Sequence, residues 1–440
     1  MIKKKNLIPS MIFYFIVVIV SLSLYRLDSL NSDSGVLITN MLVINLSLLF
    51  MIIGDKYNYS LNKILMLFSF FFFGIAPAIQ YQTGTVIWSN THTYTKENYY
   101  KLNLIIIFIL ITYQLLYHYF SKRKSNKIEQ SILLNSNKSK ENSNLKLIGI
   151  SLISFLISLY VYNFKINELL IITGQTISLQ RSTGLVYWNF IRPIPAISLF
   201  LYKSNSHKNR YVEMSLWMIF LLTNFPTSAP RFYIAALYIP IVIIYSKKAR
   251  NNYLMLNKLI IIGLLIIFPF LDQARYVANL KELTLSLDFK MFTQGHFDSY
   301  QMFMHVVTEN IITFGEQLKT AILFFVPRSI WEGKSVGSGT LVAEKYNFFF
   351  TNVSMNFFGE GYINFGYLGI LFFIIIIAYI NARYDKIFWE KLDKHSTLSV
   401  FYPLFLGLEF FLLRGDMLSG MAFIIGMFVS LSIINKLTFS

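Results

Sequence analysis

Seven arginines, Arg26, Arg181, Arg192, Arg231, Arg275, Arg328 and Arg414, lie in or beside long apolar runs and away from the lysine-rich segments. A guanidinium offers a rigid fork of donors that matches phosphate and carboxylate oxygens, whereas lysine is a compact point charge. The residue choice therefore suits an anion site. Arg192 is the sharpest case, because it sits inside an apolar stretch, NFIRPIPAI. A charge at that depth is costly and is either functional or paired; Glu409 is an acid that could pair with it. Arg231, Arg275 and Arg414 stand at helix ends, where arginines also reach out to lipid headgroups, but several on one face favour a convergent site.

The groups that could move a proton cluster late in the chain. His296 and Asp298 occur in QGHFDSY, and His305 and Glu309 follow at a spacing of four, on one helix face. Glu360 stands between Gly359 and Gly361 and precedes Asn364 in FGEGYINFGYLG. A carboxylate there could act as a general base or hold a sugar hydroxyl, although the glycines also suit helix entry or close packing. Arg414 and Asp416 in LLRGDMLSG could form a local turn pair or contribute to a site. Trp88, Tyr94, Trp331 and the Phe348–Phe350 run fit an interfacial aromatic belt, and aromatic faces also stack on sugar rings. No His/Cys metal motif, P-loop, dinucleotide-binding glycine pattern or Gly-x-Ser-x-Gly elbow is present. With no cysteine, disulfides, thiolate metal sites and cysteine nucleophiles are excluded.

The elements that must position these groups follow from composition. The chain has 440 residues, 55% hydrophobic and only 14% charged, too few charges to clothe a soluble particle of this size. Runs long enough to span a bilayer fall at about 7–25, 36–53, 61–81, 100–120, 145–163, 184–202, 212–226, 230–246, 257–272, 362–380, 397–413 and 417–435. This predicts an all-α polytopic membrane protein of about twelve spans, with both termini in the cytoplasm behind Lys3, Lys4 and Lys5. The first run reads as an uncleaved anchor, and the prolines of Asn224–Pro230 as a tight turn between two helices. Residues 1–272 carry about nine spans, with a basic connector at 121–146. Residues 273–361 form a long outer segment, the expected functional insertion, and 362–440 carry about three more spans. Within the outer segment, Ile311–Val326 is apolar but contains Glu316 and Lys319, and reads as an amphipathic or re-entrant helix.

This topology explains the net charge of +17, which in a soluble chain would suggest nucleic acid. The cytoplasmic segments and their flanks hold 24 Lys/Arg and 7 Asp/Glu, while the remainder holds 15 of each. The whole excess is the positive-inside signal. It gives no reason to expect a nucleic-acid partner.

The segment from about Gln294 to Gly369 resembles the Wzy-type O-antigen polysaccharide polymerases. The strings that carry the likeness are QGHFDSYQMF, FFVPRSIWEGKSVGSGTLVAEK and NVSMNFFGEGYINFGYLGI. The middle one holds Arg328 and Gly339 with ten residues between them, a spacing found in periplasmic loops of that family. There is no second such pair in the earlier outer loop, where Arg181 is followed by Gly184, so a two-loop capture scheme is not carried over.

The resemblance covers about one sixth of the chain by motif and implies a GT-C-like membrane glycosyltransferase of the bacterial inner membrane, its site facing outward. It would join undecaprenyl-diphosphate-linked oligosaccharide repeat units, with a lipid-linked donor and acceptor, membrane lipids and a chain-length regulator as partners. No cofactor or metal is expected, fixed cations taking the place of a divalent ion. The donor diphosphate is assigned to Arg328, Arg275, Arg231 and Arg192, helped by Lys334, Arg181 and Arg414. Glu360, Asp298 or His296 would take the proton of the attacking hydroxyl, and Trp331, Asn364 and Asp416 would contact sugar. The alternatives are a lipid-linked oligosaccharide flippase and an O-antigen ligase.

Overall fold

The computed structural model describes residues 4–23, 31–88, 93–123, 143–170, 184, 186–205, 208–229, 231–267, 289–390 and 397–439. These residues are helical with connecting turns, and no strand occurs among them. The helices that matter below are α1 (Lys4–Ser23), α2 (Ser34–Ile53), α3 (Leu61–Thr83), α4 (Lys96–Lys122), α5 (Ser143–Val161), α6 (Ile194–Ser204), α7 (Arg210–Thr223), α8 (Arg231–Tyr245) and α9 (Met255–Ile262). Within residues 273–361 follow α10 (Ser299–Thr308), α11 (Glu316–Ile322) and α12 (Ser338–Lys345). Then come α13 (Phe357–Glu390), α14 (Thr397–Arg414) and α15 (Met417–Phe439).

Six helices, α2, α3, α4, α5, α13 and α15, are long and apolar enough to cross a membrane. Shorter apolar stretches lie at Ile8–Ile19, Tyr233–Tyr245 and Met255–Ile266. The run at 184–202 is not one helix. A π turn at Tyr187–Ile191 ends at Arg192, and the eleven-residue α6 starts after Pro193, whose ring cannot continue the preceding turn. The apolar runs on either side of Asn224–Pro230 form two separate helices, α7 and α8.

At the centre is α3. Ser60 caps its start by accepting the Lys63 N–H, and 94% of its most apolar window is buried. A helix apolar on every side needs neighbours on every side. Phe68, Phe72 and Phe73 pack with Phe410 of α14, with Phe297, and with Phe303 of α10 and Phe358 of α13. The same helix thereby links the bundle to the segment that carries the candidate site.

One irregularity sets the site's geometry. The backbone of α13 breaks at Phe365 and at Gly366, where φ is +62°, a conformation that glycine adopts without strain. Gly361 and Gly369 then face each other so closely that a Cβ on Gly361 would lie 2.8 Å from the Gly369 carbonyl oxygen. The break frees carbonyl groups that must find donors. Thr313 N–H donates to Ile363 O at 2.7 Å, and Gly315 N–H to Asn364 O at 3.1 Å. Within the stretch read as a single helix over Ile311–Val326, only Glu316–Ile322 is helical; residues 313–315 are committed to this repair.

Candidate active site at the Arg414–Met417 turn

The turn between α14 and α15 meets two acids of residues 273–361, Asp298 and Glu360. Glu360 sits in the first turn of α13, a start fixed by Asn356, whose Oδ1 accepts the N–H groups of Phe358 (3.1 Å) and Gly359 (2.9 Å). Glu360 is 1% exposed. Its Oε1 accepts the Met417 N–H at 2.8 Å, and its Oε2 accepts the Ser338 hydroxyl at 2.7 Å. Each carboxylate oxygen therefore has one neutral donor. Asp416 caps α15, accepting the Ser419 N–H at 2.8 Å and the Ser419 hydroxyl at 3.2 Å. Desolvation raises its carboxyl above the ordinary carboxylate value, opposed by those bonds from Ser419. A side chain at Gly337 would press on the Asp416 carboxylate.

Asp298 is held quite differently. Its Oδ2 accepts Trp88 Nε1–H at 2.7 Å and the Ser354 N–H at 3.0 Å, while its Oδ1 accepts the Ser354 hydroxyl and Arg414 Nη2 at 3.3 Å. Four donors, one of them the Arg414 guanidinium, thus occupy its two oxygens. Arg414 also donates to the carbonyls of Gly295 (3.1 Å) and His296 (3.3 Å). Arg414 and Asp298 are thus one ion pair that ties the turn to the start of α10, and Arg414 and Asp416 are not paired with each other. His296 lies half-buried in the short turn Gly295–Phe297.

Arg328 and Lys334 turn inward on their own loop. Arg328 donates through Nη1 to Lys334 O at 2.5 Å and through Nη2 to Ser335 O at 2.8 Å. The Lys334 ammonium, in a residue 8% exposed, takes the carbonyls of Leu323 (3.2 Å), Phe324 (2.6 Å) and Val326 (2.8 Å). Both cations therefore brace the 323–335 loop. Gly339, the far end of the Arg–x10–Gly spacing, is needed for packing: a Cβ there would overlap the Val353 carbonyl oxygen. Asn364 is likewise a brace, accepting the Leu318 N–H at 2.8 Å and donating to Glu360 O at 2.8 Å. Trp331 lies beneath the Lys319 ammonium, 4.8 Å from ring centre to nitrogen.

Arg192 is the exception among the cations. It is fully buried, and it bonds Tyr162 Oη (3.0 Å), Ser228 O (2.9 Å) and Ser228 Oγ (2.8 Å). Its guanidinium carbon is 4.3 Å from the Trp188 ring centre and about 6 Å from the rings of Tyr162, Tyr187 and Tyr233. It forms no ion pair with Glu409 or with any other acid among the described residues, and its Nε has no hydrogen-bond partner there. Ser228 precedes Arg231 by three residues. The Arg231 side chain, Arg181, Arg275 and Arg26 lie outside the described residues, as does most of the basic connector. The Arg192 segment packs on α15, where a Cβ on Gly426 would lie 2.6 Å from Asn189 O. Met417 and Gly426 are separated by nine residues, about 13 Å of helix.

The structure thus brings Glu360, Asp298, His296, Arg414 and Asp416 around one turn, and packs the segment that precedes Arg192 against α15 further along that helix. Sequence reasoning passed over Ser338, Ser354, Tyr162 and Ser228, whose contacts depend on chain folding. Trp188, four residues before Arg192, was readable as a ring over the guanidinium from helical spacing, whereas Tyr187, five before it, comes into reach through the π turn. Among the described residues, no group of three or more His, Asp or Glu side chains could hold a metal ion. In comparisons with protein families, curated proteins and solved structures, no family model, protein or structure matches the chain.

Proposed function

We propose that this protein is a membrane glycosyltransferase that polymerises lipid-diphosphate-linked oligosaccharide repeat units on the outer face of the bacterial inner membrane. The finer architecture belongs to the same proposal: about twelve spans, a GT-C-like arrangement, cytoplasmic termini, and residues 273–361 outside. The observation that carries it is Arg192, a buried cation with three donor bonds to neutral groups and no acid in contact among the described residues. A buried charge left without a counter-ion favours an anionic ligand.

In this reading Arg192 holds the donor diphosphate, with Arg181, which precedes it in the chain, and Arg231, which follows its partner Ser228. Arg328 and Lys334 shape the outer loop, since their donors already serve backbone carbonyls. An acceptor hydroxyl oxygen attacks the donor's anomeric carbon. The bond from that carbon to the diphosphate oxygen breaks, and its electron pair leaves with the lipid diphosphate, whose growing charge the guanidinium stabilises. The hydroxyl proton passes through Ser338 to Glu360, the candidate base whose two oxygens meet only neutral donors. Asp298, whose oxygens already accept four donors, positions the turn. His296 stands beside this turn and is the secondary candidate.

The test is to incubate purified protein in lipid with lipid-linked repeat units alone. A ladder of products supports the proposal. A single product formed only with a lipid-core acceptor would identify a ligase, and movement of the lipid-linked unit without bond formation would identify a flippase; either result overturns it.

A further inference from the structure

Glu409, which the sequence offered as one possible partner for Arg192, makes no ion pair with it. Glu409 is fully buried in α14, five residues or about 7 Å of helix inward from Arg414. It has one hydrogen bond, from Asn381 Nδ2 to its Oε1 at 2.6 Å, and the same amide nitrogen reaches Tyr113 Oη at 3.1 Å. Among the described residues, two buried acceptors remain without partners: Glu409 Oε2 and Asn381 Oδ1. They are the second carboxylate oxygen and the amide oxygen of the two groups already joined by that bond.

Asp385 provides an internal comparison. It lies one turn beyond Asn381 on α13 and is also fully buried. Its oxygens accept four donors: the N–H groups of Leu61 (2.8 Å) and Asn62 (3.3 Å) and the hydroxyls of Tyr117 (2.8 Å) and Tyr402. Tyr113 and Tyr117 are one turn apart on α4, and Tyr402 and Glu409 are two turns apart on α14. The same three helices thus build two stacked rungs. The Asp385 rung is furnished with donors for a carboxylate. The Glu409 rung is short of a donor.

We infer that Glu409 and Asn381 form a site for one proton in the interior of the bundle. A carboxylic acid and a primary amide pair through two hydrogen bonds: amide N–H to acid carbonyl, and acid O–H to amide carbonyl. The first bond is present, and a proton on Oε2 completes the second, giving both orphan atoms a partner. Exchanging the amide's nitrogen and oxygen does not remove the need, because an amide oxygen would then face a carboxylate oxygen. A bare cation is a poorer fit, since only two orphan oxygens are present and an ion stripped of water needs a fuller shell. The titratable and charged groups facing this site are Tyr113 on α4, Asp385 on α13 and Tyr402 on α14, with Asp55 and the Lys63 ammonium paired at the start of α3 beyond Asp385. None of them gives Glu409 an ion pair among the described residues.

The experiment is infrared spectroscopy of the full chain in lipid nanodiscs at neutral pH, following the carbonyl band of a neutral carboxylic acid. The wild type should show such a band, and it should shift in heavy water. Glu409→Gln should lose it and keep the wild-type melting temperature, because a glutamine amide donates to Asn381 Oδ1 and accepts from Nδ2. Asn381→Leu should retain a band but at a different frequency, having lost the paired amide. The inference is overturned by a wild-type spectrum without the band, as for a water-bridged carboxylate, or by a band that persists in Glu409→Gln. It is equally overturned by a band erased by added sodium, which would indicate a cation site, or by a Glu409→Gln chain that does not fold.

Discussion

Replacing Arg192 by methionine separates an anion-binding role from a structural one. The guanidinium makes three bonds to neutral partners, at 2.8 to 3.0 Å, inside a cage of four rings. Hydrogen bonds to a charged donor contribute about 1.5–3 kcal/mol each. Burying the ion costs several kcal/mol, so the two offset one another to within a few kcal/mol. Methionine fills the ring cage with a flexible apolar chain. The variant should therefore stay within about 2 kcal/mol of wild-type stability. Its activity should collapse: one charge about 4 Å from a phosphate oxygen, at an effective dielectric near 20, is worth about 4 kcal/mol, or about a thousandfold in rate. Arg192→Lys keeps the charge but loses one arm of the fork, about 1.5–3 kcal/mol, or about ten- to a hundredfold. The assay is the initial rate of polymerisation from lipid-linked repeat units, with thermal unfolding measured on the same preparations. A stable Arg192→Met protein with a wild-type rate would refute the reasoning, as would a loss of activity that merely follows unfolding.

Four further substitutions extend the account. Glu360→Gln keeps acceptor and donor contacts to Met417 and Ser338, so melting should be unchanged while the rate falls by about a hundredfold or more; an undiminished rate excludes Glu360 as the base. Arg328→Ala removes two charged-donor bonds to the Lys334 and Ser335 carbonyls and should lower stability by about 2–4 kcal/mol, read from denaturation and from protease cleavage within 323–335. Gly339→Ala forces a Cβ onto the Val353 carbonyl and should cost about 1–3 kcal/mol, with a correspondingly lower melting temperature. Asp298→Asn leaves Arg414 facing a neutral group and should destabilise by about 3–5 kcal/mol; a variant as stable as wild type would show that the ion pair is dispensable.

The helical class and the positions of the long apolar runs were legible because periodicity and length report burial directly. What is invisible in composition is where a run breaks. The π turn before Arg192 and the reversal at Phe365–Gly366 arise from Pro193, from Gly366 and from donors at residues 313–315 that arrive by folding. The same limit applies to the site. Glu360, Asp298 and Arg192 could be picked out as costly charges, but whether each is saturated depends on partners far away in sequence: Trp88 and Ser354 for Asp298, Met417 for Glu360, Ser228 for Arg192. Arg328 and Lys334 show the converse, since their sequence context suggested a diphosphate while their donors close a loop. Lys63 and Asp55 lay beside or inside an apolar run and attracted no attention; folded, they form a buried ion pair that joins α3 to its preceding turn.

The central claim is that a lipid diphosphate binds at Arg192, and its most direct measurement is ligand-dependent thermal stability in nanodiscs. Undecaprenyl diphosphate at about a hundred times its dissociation constant should stabilise the wild type by about 2.7 kcal/mol. The same titration should leave Arg192→Met unmoved and Arg328→Lys shifted nearly as far as the wild type. Equal shifts in wild type and Arg192→Met would contradict the account.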